Sequence, residues 1–472
     1  MIKETIEKIK QGRLKSARVV EESLKKARQG QSRYNSYITI LDEKAMQRAD
    51  YIDDCVKKGE DPGPLAGIPV AVKDNMLYRG TPMTCASEML RNYISPYTAT
   101  AVKKLLEAGA VIVAKTNMDE FAMGSSGETS AFGPVRNPID TERIPGGSSS
   151  GSAAAVAAGE VMGALGSDTG GSVRQPASMC GVVGLKPTYG MVSRYGLSAF
   201  ASSLDQIGPL TGKVEDAARI LKVIAGFDQK DSTSVDIGVS DYVKDVDKGV
   251  DGLKVGIPKE YMGEGLSGEV RQRVENTAQK LERKGARIRE ISLKSAEYAV
   301  AVYYIIGPAE ASANLARYDG IRYGLRPGNS KNLKEQYKKA RKEGFGAEVK
   351  RRIMLGTYVL SSGYYDEYYS KAQRVRKLIK EDFDEAFSGV DLILSPTTPT
   401  TAFKLGEKSD DLIGMYMSDV YTVSCNLAGI PAISVPAGKD SAGLPIGCQL
   451  ISPSFGEALL FRGARQIEKF YE

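Results

Sequence analysis

The chain has 472 residues, 42% hydrophobic and 26% charged, an ordinary globular composition with room for a large core in one to three domains. Its formal charge of +6 is too mild to indicate a nucleic-acid surface by itself. It has no histidine, which excludes Ser-His-Asp and Cys-His catalysis, histidine-ligated metals and a histidine general base. The five cysteines (Cys55, Cys85, Cys180, Cys425 and Cys448) are scattered and never spaced C-x-x-C, so neither a disulfide framework nor a zinc cluster is expected. A reducing, cytoplasmic setting fits. MIKETIEKIKQGRLK at the start has no apolar core of a signal peptide, and no stretch approaches ~18 uninterrupted apolar residues, so no membrane association is expected.

In chain order, residues 14–28 place Leu14, Ala17, Val20, Leu24 and Ala27 at helical spacing. Residues 42–58 repeat the pattern with Ala45, Ala49, Ile52 and Val56, behind Asp42 as the candidate cap. Both read as outer helices with solvated basic faces. In DPGPLAGIPVAVKDN (61–75) proline and glycine break the helix, and Ile68 to Val72 reads as a strand ending at Lys73. A helix over 98–108 stops at Gly109, and AVIVAK (110–115) reads as a second buried strand. Strand, helix, strand predicts a parallel βαβ crossover, and groups just past such strand ends commonly form active sites. Lys73 and Lys115 both qualify by position. Residues 116–145 form a long polar Gly/Pro-rich segment, which in a compact chain is usually functional.

GGSSSGSAAAVAAG (146–159) and GSDTGGSVRQPAS (166–178) read as two serine-bearing loops joined by a small-residue helix around Ala154–Ala158. SLDQIGPLT (203–211) leads to a helix near 214–225, GLKVGIP (252–258) to a strand, and 268–284 to an amphipathic helix. The short repeat LAGIP, at 65–69 and 427–431, reads as two loop-to-strand junctions. From about 300 to 388 the sequence is tyrosine-rich and helical, with Tyr364, Tyr365, Tyr368 and Tyr369 suited either to stacking on bases or to a subunit contact. Strands at 391–400, 426–436 and 444–452 close the chain. The expected architecture is a single large α/β domain over 1–472 with a helical excursion over about 300–388.

Ser172 follows Gly170 and Gly171, after Asp168 and Thr169. The consecutive N–H groups of Thr169, Gly170, Gly171 and Ser172 could cradle the oxyanion of an acyl-transfer intermediate. The competing reading is a glycine-rich nucleotide- or tRNA-binding turn without catalysis, although G-x-x-x-x-G-K-[ST] is absent. A serine nucleophile needs a base, and without histidine lysine is the natural candidate. Its pKa must fall from about 10.4 to near 7, roughly 4 kcal/mol of environment. Burial away from carboxylates does that, so Asp74 beside Lys73 must point elsewhere.

GIPVAVKD (67–74), the two serine stretches and GLKPTYGMVSRYGL (184–197) resemble the amidase signature family, with the signature core over about 60–230. The segments at 116–138, 203–211, 348–369 and 421–436 are similar to the branch of that family that serves tRNA-dependent amidotransferases, over nearly the whole chain. The resemblance implies a large mixed β-sheet flanked by helices. It also implies a Ser–cis-Ser–Lys triad, with Ser172 as nucleophile, Ser148 as the bridging serine and Lys73 as base. From chemistry alone Ser148, Ser149 and Ser150 remain alternatives. For glutamine it implies a pocket of Ser125, Tyr303, Arg352 and Asp419, with no metal and no cofactor in this chain. The implied partners are subunits B and C of a heterotrimer, with ATP and Mg consumed in the partner's amidation of misacylated tRNA. A stand-alone amidase acting on another amide is the alternative.

Overall fold

Short apolar runs bounded by glycine and proline form the strands of one sheet in the computed structural model, which describes residues 2–472. The strands are β1 (Tyr37–Ile40), β2 (Pro69–Lys73), β3 (Val111–Thr116), β4 (Gly163–Asp168), β5 (Val183–Lys186) and β6 (Gln206–Thr211). They continue with β7 (Lys254–Pro258), β8 (Arg287–Ile291), β9 (Leu392–Pro396), β10 (Ala432–Lys439) and β11 (Pro445–Ile451). The order across the sheet is β1-β3-β2-β4-β6-β5-β10-β11-β9-β7-β8. β2 pairs in parallel with β3 and β4, β7 with β8 and β9, and the other neighbours run antiparallel. This is the large mixed sheet flanked by helices that was expected, and the crossover from β2 through helix Thr100–Glu107 to β3 is the parallel unit read from sequence.

Strand alternation splits the core. Val70 and Val72 belong to the core cluster that also holds Val102, Leu105, Ile220 and Phe461, whereas Ala71 and Ala164 belong to the one with Ala153, Ala155 and Val113. The alanines of helix Ser150–Ala157 are therefore small because the helix lies against β2 and β4. The excursion holds helices Ala299–Leu315, Leu333–Gly344, Ala347–Val359 and Lys371–Gly389. Among the described residues no helix is long and apolar enough to cross a membrane.

Several boundaries differ from the sequence reading, each for a local reason. The first outer helix runs Ser16–Tyr34 and stops at Asn35, whose φ of 53° is left-handed. Gly30 sits inside it because a Cβ there would lie 1.7 Å from Glu160 Oε1. Asp42 is not the cap: Leu41 holds that position, and Asp42 opens the first turn, where its charge suits the helix dipole. The segment after Ala158 is not simply loop, since β4 begins at Gly163 and carries Ser167 and Asp168. The second LAGIP ends helix Val423–Ala428 with Gly429 as left-handed stop, and β10 starts only at Ala432. β8, alternating Arg and Glu on a largely exposed edge, offered no apolar run to recognise.

Candidate active site

β2 delivers Lys73 into a fully buried position between the two serine loops. Its Nζ lies 2.8 Å from Ser148 Oγ, 3.0 Å from Ser149 Oγ, 3.0 Å from Ser167 Oγ and 3.3 Å from the Ser167 carbonyl. Among the described residues no carboxylate pairs with it. Burial lowers its pKa to about 7 against the weaker opposing pull of Asp119, Asp168 and Asp205. Asp74 does point elsewhere: it pairs at 2.9 Å with Lys115 and accepts from the Thr84 amide and hydroxyl. Lys115 also donates to the Met76 carbonyl at 2.7 Å, so the second strand-end lysine belongs to a buried ion pair and not to the serine cluster.

The Gly147–Ser148 peptide is cis. Both Ser148 and Ser149 face Lys73, while Ser150 Oγ is buried with no partner among the described residues. The loops are joined by the Ser149 N–H, which donates to the Ser172 carbonyl at 3.1 Å. Gln175 adds a second tie, accepting from the Gly147 N–H at 2.9 Å and donating to the Ser125 carbonyl at 2.7 Å.

The turn carrying Ser172 is held from beneath by Asp168. Although burial alone would raise it, the Arg174 guanidinium keeps Asp168 below the usual carboxylate range. Arg174 meets both carboxylate oxygens at 3.0 Å and also reaches Asn426, Gln449 and the Thr422 carbonyl. Asp168 in turn accepts the Gly171 N–H at 2.8 Å. That amide, expected as an oxyanion donor, is therefore held by the scaffold, whereas the Thr169, Gly170 and Ser172 N–H groups have no acceptor among the described residues. Gly170 and Gly171 are required by close approach. A Cβ on Gly170 would lie 2.6 Å from Tyr303 Cζ, and one on Gly171, where φ is +135°, 2.2 Å from Thr422 Oγ1.

A cavity of about 250 Å³ is lined in part by Ser125, Thr129, Glu348, Arg352, Lys408 and Tyr416, while Tyr303, Asp419 and the Ser172 turn lie outside its lining. Arg352 is buried, ion-paired with Glu348 at 2.7 Å and surrounded by the Phe200, Tyr304 and Tyr416 rings. Ser125 Oγ donates to Asp419 Oδ2, while Asp419 Oδ1 has no partner among the described residues. Burial pushes the Asp419 carboxyl up to about 7. The structure thus brings Ser125, Tyr303, Arg352 and Asp419 to one side of the Ser172 turn. A larger cavity, about 690 Å³ beside Lys104, Arg219 and Asp241, contains none of the candidate residues. Sequence reasoning missed Ser167, Asn75, Glu348 and Gln175. Ser167 and Gln175 had a signal, their place in the same 166–178 stretch as Ser172.

The family model described as Amidase matches residues 18–461. The A subunit of glutamyl-tRNA(Gln) amidotransferase from Carboxydothermus hydrogenoformans is 56% identical over 467 residues, covering 99% of this chain and 96% of the relative. A protein of the same name from Syntrophus aciditrophicus is 57% identical over 468 residues, with the same coverage. The crystal structure of the corresponding glutamyl-tRNA(Gln) amidotransferase chain from Thermotoga maritima superposes with a TM-score of 0.82 at 45% identity, covering 99% of this chain and 94% of that one.

Proposed function

The chain belongs to the amidase family, and from that premise we propose that it is the glutamine-hydrolysing subunit of a tRNA-dependent amidotransferase. The observation that carries the reading is a buried lysine near neutrality, in contact with a serine hydroxyl rather than a carboxylate. In this reading Lys73 draws a proton through Ser148 from Ser172, and Ser172 Oγ attacks the side-chain amide of glutamine. The Thr169, Gly170 and Ser172 N–H groups meet the oxyanion as it forms. The proton held by Lys73 then passes to the amide nitrogen, the C–N bond breaks and ammonia leaves, and water, giving a proton to the same relay, hydrolyses the γ-glutamyl ester and restores Ser172.

The pocket supports a free amino acid over an extended amide. Arg352 offers a guanidinium to an α-carboxylate, and the unpartnered Asp419 oxygen offers an acceptor to an α-ammonium. These features disfavour the stand-alone amidase. The ammonia is passed to companion subunits B and C, which amidate Glu-tRNA(Gln), Asp-tRNA(Asn) or both, and the ATP and Mg²⁺ for that step serve the partner's reaction. The test is purification with the companion subunits and a glutamine-dependent amidation assay on both misacylated tRNAs. A glutamine-mimicking electrophile should label Ser172. A complex that hydrolyses aryl amides but ignores glutamine would overturn the reading.

A further inference from the structure

Ser149, Ser167 and Asn75 surround the proposed base, yet the triad gives them no task. A neutral lysine amine has two N–H donors and one lone pair. It can accept a proton from Ser148 only if that lone pair faces Ser148 Oγ, the nearest of its contacts at 2.8 Å. The Ser149 hydroxyl donates to the Ser167 carbonyl at 3.2 Å, so toward Lys73 it can only accept. Ser167 Oγ receives the Asn75 Nδ2–H at 2.9 Å and lies 3.0 Å from Nζ, and the Ser167 carbonyl, which can only accept, lies 3.3 Å from Nζ.

We propose that Ser149 and Ser167, the latter held by Asn75, are positioning residues that take the two N–H bonds of neutral Lys73 and so aim its lone pair at Ser148. During attack the Ser172 O–H bond breaks, its electron pair forms the bond to the amide carbon, and the C=O π pair moves onto the carbonyl oxygen. Its proton passes to Ser148 Oγ, and the Ser148 proton passes to Lys73 Nζ. The resulting ammonium has three N–H bonds, and three hydroxyl oxygens at 2.8, 3.0 and 3.0 Å, with the Ser167 carbonyl at 3.3 Å, are placed to receive them. The same cluster thus serves both protonation states without moving. The inference rests on the proposed function, because it presupposes Lys73 as the base.

The test uses the full chain with its companion subunits, reading ammonia release from glutamine between pH 6 and 9. Ser167→Ala is expected to lower kcat about tenfold or more while KM stays within about twofold, since Ser167 touches no substrate. The acid limb should move to lower pH, because hydrogen bonds to the charged form are the stronger and the ammonium loses one acceptor. The groups acting electrostatically on Lys73, namely Asp119, Asp168, Asp205 and the Cys85 thiol, are unchanged by the variant. Ser167→Thr, which keeps the hydroxyl, should recover kcat to within about threefold. Should Ser167→Ala fail to fold, Asn75→Ala gives the same reading from outside the strand, with a smaller loss in the same direction. The inference is overturned if kcat stays within about twofold in the variants that fold, or if kcat falls with an unmoved acid limb and no recovery by threonine. A wild type that releases no ammonia from any amide removes the base assignment and this inference together. An active wild type with unaffected variants removes only this inference.

Discussion

Lys73 and Lys115 sit at the ends of neighbouring parallel strands, both fully buried, in opposite surroundings. Lys115 meets the Asp74 carboxylate at 2.9 Å and the Met76 carbonyl at 2.7 Å. Lys73 meets hydroxyls and one carbonyl, and its pKa falls to about 7. The same division separates two buried aspartates. Asp168 is locked to Arg174 through both oxygens, whereas Asp419 has a serine hydroxyl on one oxygen and, among the described residues, no partner on the other. Lys115 and Asp168, which build the frame, each carry a counter-charge within the chain. Lys73 and Asp419 are left with neutral hydrogen-bond partners, so that one can work uncharged and the other can await a cationic ligand, whereas Arg352 beside them already holds the Glu348 carboxylate at 2.7 Å.

The largest effect should come from Lys73→Ala, which removes the base. Glutaminase kcat should fall ~10²–10⁴-fold with little change in glutamine KM, and a loss under about tenfold would reject the assignment. Lys115→Met should do the reverse. It leaves Asp74 buried without its cation, so the fold should lose ~3–5 kcal/mol by urea denaturation, while any protein still folded keeps its kcat.

Titration sharpens the contrast. Lys73 must be neutral to accept a proton, so kcat/KM should fall as pH drops through about 7. Between that value and the ordinary ~10.4 of a lysine, the unfolded chain holds a proton that the folded chain lacks. Stability contributed at Lys73 therefore rises with pH across this window, and the penalty is fullest below pH 7. Lys73→Met should be more stable than wild type at pH 7, by up to about 4 kcal/mol, with the gain gone above about pH 10. Unfolding curves at pH 7 and 10 would expose a wrong sign. In the glutamine pocket, Asp419→Asn should raise KM about ten- to a hundredfold with kcat less affected, as expected when a charged hydrogen bond to the ligand is lost.

How much of this was legible follows the range of each signal. The β2–helix–β3 crossover was readable because Ile68–Val72 and residues 110–115 are local apolar runs opened by Gly67 and Gly109. Ser172 and the serine run stood out by composition, and histidine's absence pointed to lysine. That Lys73 and not Lys115 is the one near the serines depends on Asp74 reaching across to the next strand, which alternation only hinted at. Ser167 approaches Lys73 across the β2–β4 pairing, and Glu348 meets Arg352 on a helix of otherwise mixed polarity. The Gly171 amide looked like an oxyanion donor because sequence shows a run of N–H groups, and not which of them Asp168 takes.

The smallest predicted effect tests whether burial, rather than pairing itself, gives the Lys115–Asp74 contact its weight. Lys380 and Asp384 form an ion pair of good geometry, 2.6 Å apart and spaced i,i+4 on helix Lys371–Gly389. Their side chains are 49% and 59% exposed, against 0% for both Lys115 and Asp74. Water solvates each partner when the other is gone, and salt screens what attraction remains. A double-mutant cycle to alanine should therefore return only ~0.3–0.5 kcal/mol, shrinking further in 1 M salt. A coupling above about 2 kcal/mol at this exposed site would mean that pairing alone carries the stabilisation, and the contrast between the two strand-end lysines would need a cause other than their removal from water.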